Sequence, residues 1–450
     1  MHRMKKKIYF IQPTYRDRHG RLLQGQHLFA HSLALPALSA AVPPDWEKQF
    51  CLEFFDNIDW ETDAGVVGIS CMCCDIFRGS EIAQEFKKRG KTVIFGGAPA
   101  RLWKKLAIPV SDAVVYGNVG PQEMKELLDD AAGGRLRREY QFGMNVDFPF
   151  DYSLLAGRRI SFLPLLASIG CRNRCEFCGT ATMTKGRYHL RPIETVLEDM
   201  RQVRLRTRRA MFVDTNLYND REHLAHLCER MIAGDFRFIW GAECTVNVGD
   251  DPEVLRLLRR AGCRLLILGI ESLEQSNLRD VGKPNLVRRY AGQIANIRKA
   301  GISPAGFFIF GFDGDDRSTA DKLFRFIHDS RISLPSVNLL TPVPGTTLFE
   351  RLQHEGRMLM DDEADFLRQN LRYNSPMYRC YFVPRRMHPE EAEQDMLQLR
   401  ERLCTLPEIL RRSLVPDPVL AGVLLSWNLR YRAETKQIAR ALHCRSTTGF

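Results

Sequence analysis

The sequence lacks the long apolar segments typical of membrane proteins and the dense cysteine framework typical of small secreted domains. Residues 1–7 are basic and run directly into a strand-like segment, so we expect no cleaved leader. The longest apolar stretch near the end, residues 419–427, is too short to span a bilayer. The 13 cysteines are scattered over 450 residues. A reducing, cytoplasmic location is therefore expected.

Two sequence patterns that are absent limit the cofactors and macromolecules that the protein is expected to bind. No G-x-G-x-x-G follows the first predicted strand, which disfavours a nicotinamide or flavin dinucleotide. No block of Lys and Arg interleaved with aromatic residues indicates nucleic acid. The net charge of +11 leaves anionic substrates and peripheral membrane contact open. A small-molecule substrate is the expected partner.

Three cysteines stand close together, in the pattern C-x3-C-x2-C, on a loop that follows an apolar segment at residues 160–169. They are Cys171, Cys175 and Cys178. Iron–sulfur cubanes normally take four thiolates, and no fourth cysteine lies nearby, so one iron would stay open for a ligand or substrate. A structural zinc site is the alternative, although such sites usually combine two pairs of Cys or His.

Apolar strand-like segments alternate with helical segments over most of the chain, which predicts an α/β fold with parallel sheets. Within this pattern, residues 26–41 read as a helix, residues 50–56 as a strand and residues 180–189 as a polar loop. The predicted organisation is a Rossmann-like doubly wound sheet at 1–140, a linker at 141–158, a partial (β/α)6 barrel at 159–350 and a mostly helical region at 351–450.

Chemistry-bearing residues recur at or just after the ends of the predicted barrel strands. Because parallel strands end at the same edge of a barrel, these residues are expected on one rim. A helix cap or a solvated loop acid is the alternative for any single member. The set comprises Cys171, Asp214, Glu243, Glu271, Gly311 and Pro344.

The cysteine pattern, with the aromatic Phe177 just before the last cysteine, resembles the signature of the radical S-adenosylmethionine (SAM) enzymes. The resemblance implies a [4Fe-4S] cluster on the three thiolates, with SAM chelating the open iron. It also implies an electron donor such as flavodoxin or ferredoxin, whose electron leads to a 5′-deoxyadenosyl radical. By the same resemblance the SAM contacts are Phe177, Asp214, Asn216, Glu271, Ser272, Ile309 and Gly311.

The order of elements in residues 1–140 resembles the cobalamin-binding domain that precedes the radical core in many radical SAM enzymes. This resemblance would bring Ser70, Gly97 and Gly117 near the corrinoid or its nucleotide tail. The axial motif D-x-H-x-x-G is not reproduced, because His19 has the wrong glycine spacing, and an exposed loop histidine is favoured there. A domain that kept the fold and lost the cofactor is the alternative.

Cys71, Cys73 and Cys74 form a second group of thiols after a predicted strand. Such thiols could bind a soft metal, but packing as small apolar side chains is favoured, because no His or further Cys lies close in sequence.

The expected function is radical SAM methylation of an unactivated carbon in a natural-product, lipid or cofactor intermediate. The alternatives are radical rearrangement, ring formation or oxidative cyclisation without net methylation, and a non-catalytic corrinoid- or metal-binding protein. A methylthiotransferase is disfavoured, because the first domain has no second set of cluster cysteines.

Overall fold

The computed structural model describes residues 5–17, 20–30, 32–360 and 379–448. These residues divide into two compact units. Within the described residues, the first unit comprises 5–169 and 188–211, and the second comprises 170–187, 212–360 and 379–448. His19 lies outside the described residues. Among those described, no helix is both long and apolar enough to cross a membrane.

The first unit contains a six-stranded sheet in which every pair of neighbours is parallel. The first strands of the chain are β1 (Lys7–Gln12), β2 (His27–Ala30), β3 (Glu47–Leu52), β4 (Val66–Ser70), β5 (Thr92–Gly96), β6 (Ala113–Tyr116) and β7 (Glu139–Gln141). The sheet order is β3-β1-β4-β5-β6-β7. The accompanying helices are α1 (Ala34–Ala41), α2 (Ile76–Lys88), α3 (Ala98–Leu102), α4 (Lys104–Ala107) and α5 (Pro121–Ala132).

The remaining strands of this unit pair outside the six-stranded sheet. β2 pairs in parallel with β8 (Arg159–Leu165), and β11 (Arg209–Phe212) lies on the other side of β8. The short strands β9 (Ser168–Gly170) and β10 (Tyr188–Leu190) pair with each other. Helix α7 covers Ile193–Arg204.

The second unit contains four parallel strands in chain order: β12 (Ile239–Thr245), β13 (Cys263–Glu271), β14 (Ser303–Phe310) and β15 (Leu334–Leu339). Its helices are α6 (Gly179–Thr184), α8 (Arg221–Ala233), α9 (Pro252–Arg260), α10 (Gln275–Asp280), α11 (Tyr290–Lys299), α12 (Thr319–Asp329) and α13 (Thr347–His354), followed by α14 (Pro389–Leu403), α15 (Leu406–Ser413) and α16 (Pro418–Thr448).

The two faces of this four-stranded sheet differ in burial. Ala242, Leu268 and Phe308 are fully buried on one face, whereas the next residues along their strands are more accessible. On the accessible face, Phe307 is 38% exposed. Because side chains alternate along a strand, this pattern gives the sheet one packed face and one open face.

The predicted α/β class with parallel sheets and the helical C-terminal region are confirmed, and all six predicted barrel strands (β8 and β11–β15) are present. The helix predicted at 26–41 is wrong in its first half, where β2 forms instead and pairs with β8. The strand predicted at 50–56 lies earlier, at β3, because Lys7 of β1 pairs with Glu47. The polar loop predicted at 180–189 contains most of α6 and the start of β10. The domain boundaries stay a prediction.

Candidate active site

The three cysteines lie on a tight loop that leaves β9 through Gly170. Gly170 has a φ of +84°, in the region that favours glycine. Cys171 and Cys175 are buried and Cys178 is half-buried, and the Cys178 N–H donates to the Cys175 carbonyl at 3.0 Å. Burial raises the pKa of Cys175 to about 11, and mutual repulsion among the three thiolates adds to that shift. The loop therefore gathers the three thiols within one short segment.

Two buried asparagines hold the start of this loop. The Asn219 side chain donates to the Gly170 carbonyl at 2.9 Å and accepts from the Arg172 N–H at 3.3 Å. Asn216 donates to Asn219 at 3.2 Å and accepts from the Thr245 N–H at 3.0 Å. The amide predicted to contact SAM is thus occupied within the protein. Its evident role is to fix the cysteine loop to the end of β12.

Glu176, between the second and third cysteines, fastens the loop at three points. Its N–H donates to the Val281 carbonyl at 2.9 Å, and its own carbonyl accepts from the Leu348 N–H at 3.1 Å. Its carboxylate pairs with the Arg351 guanidinium at 2.5 Å. The Cys175–Cys178 turn is therefore held to two other segments of the unit.

A buried ion pair stands at the carboxyl end of β13. The Glu271 carboxylate lies 2.9 Å from the Lys283 ammonium, with side-chain exposures of 11% and 8%. Burial opposes the lysine charge, but attraction from Glu271 and then Cys175 outweighs it and raises the pKa of Lys283. A Cβ at Gly269 would approach these two side chains to 2.6 and 2.9 Å. Glycine thus lets the ion pair lie over the sheet near the thiols.

A second polar network joins the turns after β13 and β14. The Asn277 side chain donates to Ser272 Oγ at 3.0 Å and to Asp315 Oδ1 at 2.8 Å. Asp315 Oδ2 accepts from the N–H groups of Gly311 and Phe312, at 2.8 and 3.0 Å. Gly311 has a φ of +95°. This network brings the predicted Ser272 and Gly311 together through two residues that the sequence analysis missed.

We expect Asp315→Asn to loosen both turns. The asparagine amide has only one oxygen, whereas Asp315 accepts hydrogen bonds with two. If that oxygen faces Asn277, the two backbone N–H groups lose their acceptor; if it faces the backbone, the NH₂ group meets the NH₂ donor of Asn277. Leaving buried donors unsatisfied costs about 1–3 kcal/mol each. The expected result is a lower midpoint of urea unfolding together with weaker SAM binding, measured by equilibrium dialysis.

The surface variant Asp329→Asn is the matched control, because Asp329 is exposed and lies outside this network. An unchanged SAM affinity in Asp315→Asn would contradict the assignment of the network to the SAM site.

Phe177 packs edge-to-face on Phe312, with ring centroids 6.4 Å apart. This contact brings the aromatic residue of the cysteine motif to the turn that contains Gly311. Ile309 precedes that turn on the partly accessible positions of β14. Phe177, Gly311 and Ile309 therefore lie on connected segments at one end of the sheet.

Two acids belong to the neighbouring strands. Asp214 is fully buried after β11, and Glu243 lies in the middle of β12. Surrounding protein raises the pKa of Glu243, and the Asp214 charge raises it further. The Glu243 side chain is nevertheless accessible, and it faces no hydrogen-bond donor among the described residues. It can therefore receive a donor or cation from outside the protein.

In the first unit, close backbone contacts explain why Gly97 and Gly117 must both be glycine. A Cβ at Gly97 would meet the Cys71 carbonyl oxygen at 2.0 Å, and one at Gly117 would meet the Phe142 carbonyl oxygen at 2.3 Å. Both glycines have positive φ, +103° and +94°. Ser70 is buried at the end of β4. The glycines are thus needed by the fold itself, whatever binds at this edge.

Two buried side-chain oxygens near the same edge have no hydrogen-bond partner within the described part of the chain. They are Gln12 Oε1, at the end of β1, and Asp75 Oδ1, just after β4. β1 and β4 are parallel neighbours, so both atoms belong to one edge of the sheet. Ligands of open α/β sheets bind outside the carboxyl ends of the strands. Unsatisfied oxygens there fit a polar ligand.

The second group of cysteines is dispersed. Cys71 is buried and packs against Gly79 of α2, Cys73 is exposed and Cys74 is half-buried. Within the described residues, no three His, Cys, Asp or Glu side chains stand close enough to hold a single metal ion. A cubane is several ångströms wide, so its thiolates stand farther apart than the ligands of one ion.

A family model described as the radical SAM superfamily matches residues 165–327, a span that contains all three cysteines, the Glu271 turn and Gly311. Residues 165–327 therefore form a radical SAM domain. Two relatives from Chlorobaculum tepidum match most of the chain. They are bacteriochlorophyllide d C-12(1)-methyltransferase, 29% identical over 84% of this chain and 83% of the relative, and bacteriochlorophyllide d C-8(2)-methyltransferase, 27% identical over 88% and 90%.

The fold of the chain also matches a solved structure over nearly its whole length. That structure is TsrM from Kitasatospora setae, a radical SAM methyltransferase with cobalamin and a [4Fe-4S] cluster bound. The TM-score is 0.70, the sequence identity is 17%, and the match covers 98% of this chain and 99% of TsrM. At this identity the likeness establishes the fold.

The residues present fit the cofactors that a radical SAM enzyme uses. Three thiols on one loop are soft donors suited to iron–sulfur chemistry. Burial raises the pKa of Cys171 and Cys175, and the positive charge of Lys283 beside them partly offsets that rise. Of the residues that position this site, Asn219, Asn277, Lys283 and Asp315 had no signal in the sequence. These residues belong to no recognisable sequence motif, and only their hydrogen bonds show that they position the site.

Proposed function

We propose that this radical SAM enzyme methylates an unactivated carbon and that it uses a [4Fe-4S] cluster, SAM and cobalamin. The observation that carries the proposal is the match to two methyltransferases over more than four-fifths of each chain. The fold shared with a cobalamin-binding radical SAM methyltransferase supports it. The three thiols on one anchored loop support the cluster assignment.

In this proposal Cys171, Cys175 and Cys178 hold the cluster. Phe177, Glu271, Ile309 and Gly311 line the SAM site, with Asp214 as the acid for its ammonium group. Asn216 and Ser272 act as positioning residues, because their polar atoms are engaged in fixing the cysteine loop and the Glu271 turn. The Glu271–Lys283 ion pair lies beside the thiols.

The first unit is proposed to hold the corrinoid at the edge where β1 and β4 end. Gln12 and Asp75 offer unsatisfied oxygens there, and Ser70 lies at the end of β4. When bound, the three cofactors supply a carbon-centred radical and a transferable methyl group. The protein orients the substrate and keeps water from the reacting atoms.

The proposed substrate is a flat, mostly apolar ring system of the tetrapyrrole class. The two long-matching relatives act on bacteriochlorophyllide d, which supports this class. The open face of the four-stranded sheet supports it independently, because it presents Phe307, which is 38% exposed, together with Ile309. Glu243 on the same face provides one carboxylate for a hydrogen-bond donor or a cation of the substrate.

The test is an anaerobic assay of the reconstituted enzyme with bacteriochlorophyllide d, a reductant and SAM that carries a deuterated methyl group. We expect a product that contains the labelled methyl and depends on added cobalamin. Glu243→Gln should lower kcat/KM by about tenfold or more, because loss of one charge-assisted hydrogen bond costs about 1.5–3 kcal/mol.

Ser426→Ala, at an exposed position of α16, serves as the matched control and should retain full activity. A product that has lost hydrogen without gaining a methyl would overturn methylation in favour of cyclisation. Turnover of other substrates alone would overturn the tetrapyrrole assignment.

A further inference from the structure

The segment that carries the cluster cysteines has a strongly one-sided surface charge. Between residues 170 and 187 it contains a single acid, Glu176, which is paired with Arg351. Its four basic side chains are all exposed. We call this set the basic collar; its members are Arg172, Arg174, Lys185 and Arg187.

No member of the basic collar has an acidic partner among the described residues. The Arg172 guanidinium lies 3.5 Å from the Tyr218 carbonyl, and Arg187 Nε donates to the Thr184 carbonyl at 3.3 Å. The Arg174 side chain lies over Gly186, where an added Cβ would come within 2.6 Å of its Nε. This contact brings the two ends of the collar together. Four like charges on one loop repel one another, so they are costly to keep without a counter-charge.

The collar lies on the same segment, residues 170–187, as the one cluster thiol that is not buried. Cys171 and Cys175 are buried, whereas Cys178 is half-buried. Cys178 is therefore the cluster thiol that an external electron carrier can approach most readily, and the collar belongs to the same segment. A basic surface around a redox centre steers acidic proteins to it and raises their association rate.

We propose that the basic collar is the docking surface for an acidic one-electron carrier protein. One electron passes from the reduced cofactor of the carrier to the cluster, so the carrier is oxidised by one electron and the cluster is reduced by one. No bond forms or breaks in this step. The inference rests on the proposed function only in requiring that the three thiols hold a redox-active cluster; it is independent of cobalamin and of the substrate.

The experiment follows the bleaching of cluster absorption in the reconstituted enzyme after anaerobic mixing with reduced flavodoxin, an acidic carrier. The variants are Arg174→Glu, Lys185→Glu and the double variant. The second-order rate of reduction should fall about tenfold or more in the double variant at low salt, and the wild-type rate should fall as salt is added. Reduction by photoreduced 5-deazaflavin, a small uncharged reductant, should be unchanged in every variant.

The matched control reverses two other exposed arginines, Arg430 and Arg440 of α16, which also lack acidic partners among the described residues. Arg430→Glu and Arg440→Glu should retain the wild-type rate with flavodoxin. Equal losses in these controls would overturn the collar and leave only a net-charge effect. An unchanged flavodoxin rate in the double variant would also overturn the collar as a docking surface. RNA binding to the collar, with reduction by flavodoxin unaffected by the substitutions, would overturn it as well.

Failure of this inference is distinguishable from failure of the proposed function. Iron content and the cluster spectrum are recorded before mixing, so an unassembled cluster contradicts the proposed function before the collar is tested. An assembled cluster that flavodoxin reduces equally in all variants contradicts the collar alone.

Discussion

Replacing Cys175 by alanine should abolish both iron binding and activity. Two thiolates cannot hold a cubane that already lacks a fourth protein ligand. Cys175 is buried, and the two acids near it are already paired, Glu176 with Arg351 and Glu271 with Lys283. The measurement is iron and sulfide content after anaerobic reconstitution, and we expect it to fall close to background. Radical formation should be undetectable.

Cys228→Ala provides the matched control. Cys228 is buried, like Cys175, but lies on α8, outside the cysteine loop. It should keep the full iron content and lose only the small amount of stability expected from a buried thiol. If Cys175→Ala retained iron at the level of Cys228→Ala, the cluster assignment would be wrong.

Replacing Lys283 by methionine should be the most destabilising single change near the site. It leaves the Glu271 carboxylate buried without a counter-charge, and breaking such a pair costs about 3–5 kcal/mol. The measurement is the free energy of unfolding of the second unit in urea. Cluster reduction should also shift to a more negative potential, because a positive charge beside Cys175 is lost.

The double variant Glu271→Gln with Lys283→Met separates charge from packing. Once both charges are removed, much of the lost stability should return, since neither partner is left ionised. The raised pKa of Lys283 also fixes the sign of the pH dependence. Its contribution is fully present below the pKa of lysine in the unfolded chain and is lost only as pH rises through the folded value. A Lys283→Met effect below about 1 kcal/mol, the range of exposed ion pairs, would contradict the buried ion pair.

The sequence predicts the strands of this fold well, because long apolar segments bounded by glycine leave few alternatives. α7, from Ile193 to Arg204, buries Val196, Leu197, Met200 and Val203, which recur at helical spacing in the sequence. The error at residues 26–41 arises because β2 is stabilised by pairing with β8, a contact far along the chain that local periodicity does not contain.

The candidate site divides in a similar way. Cys171, Phe177 and Gly311 follow from motif spacing and strand ends. Lys283 and Asp315 do not, because their importance lies in what they contact: Glu271 in one case and the Gly311 turn in the other. Asn216 illustrates a third case, in which the residue is correctly associated with the site while its amide is used to hold the loop.

Cofactor content after reconstitution tests the account most directly. The purified chain is incubated anaerobically with iron, sulfide and hydroxocobalamin, passed through gel filtration, and assayed for bound metal and corrinoid. We expect about four iron atoms per chain, as in a cubane, together with one retained cobalamin that survives dilution. A full cubane without retained cobalamin would contradict the methyl-transfer mechanism and leave radical rearrangement or oxidation in its place.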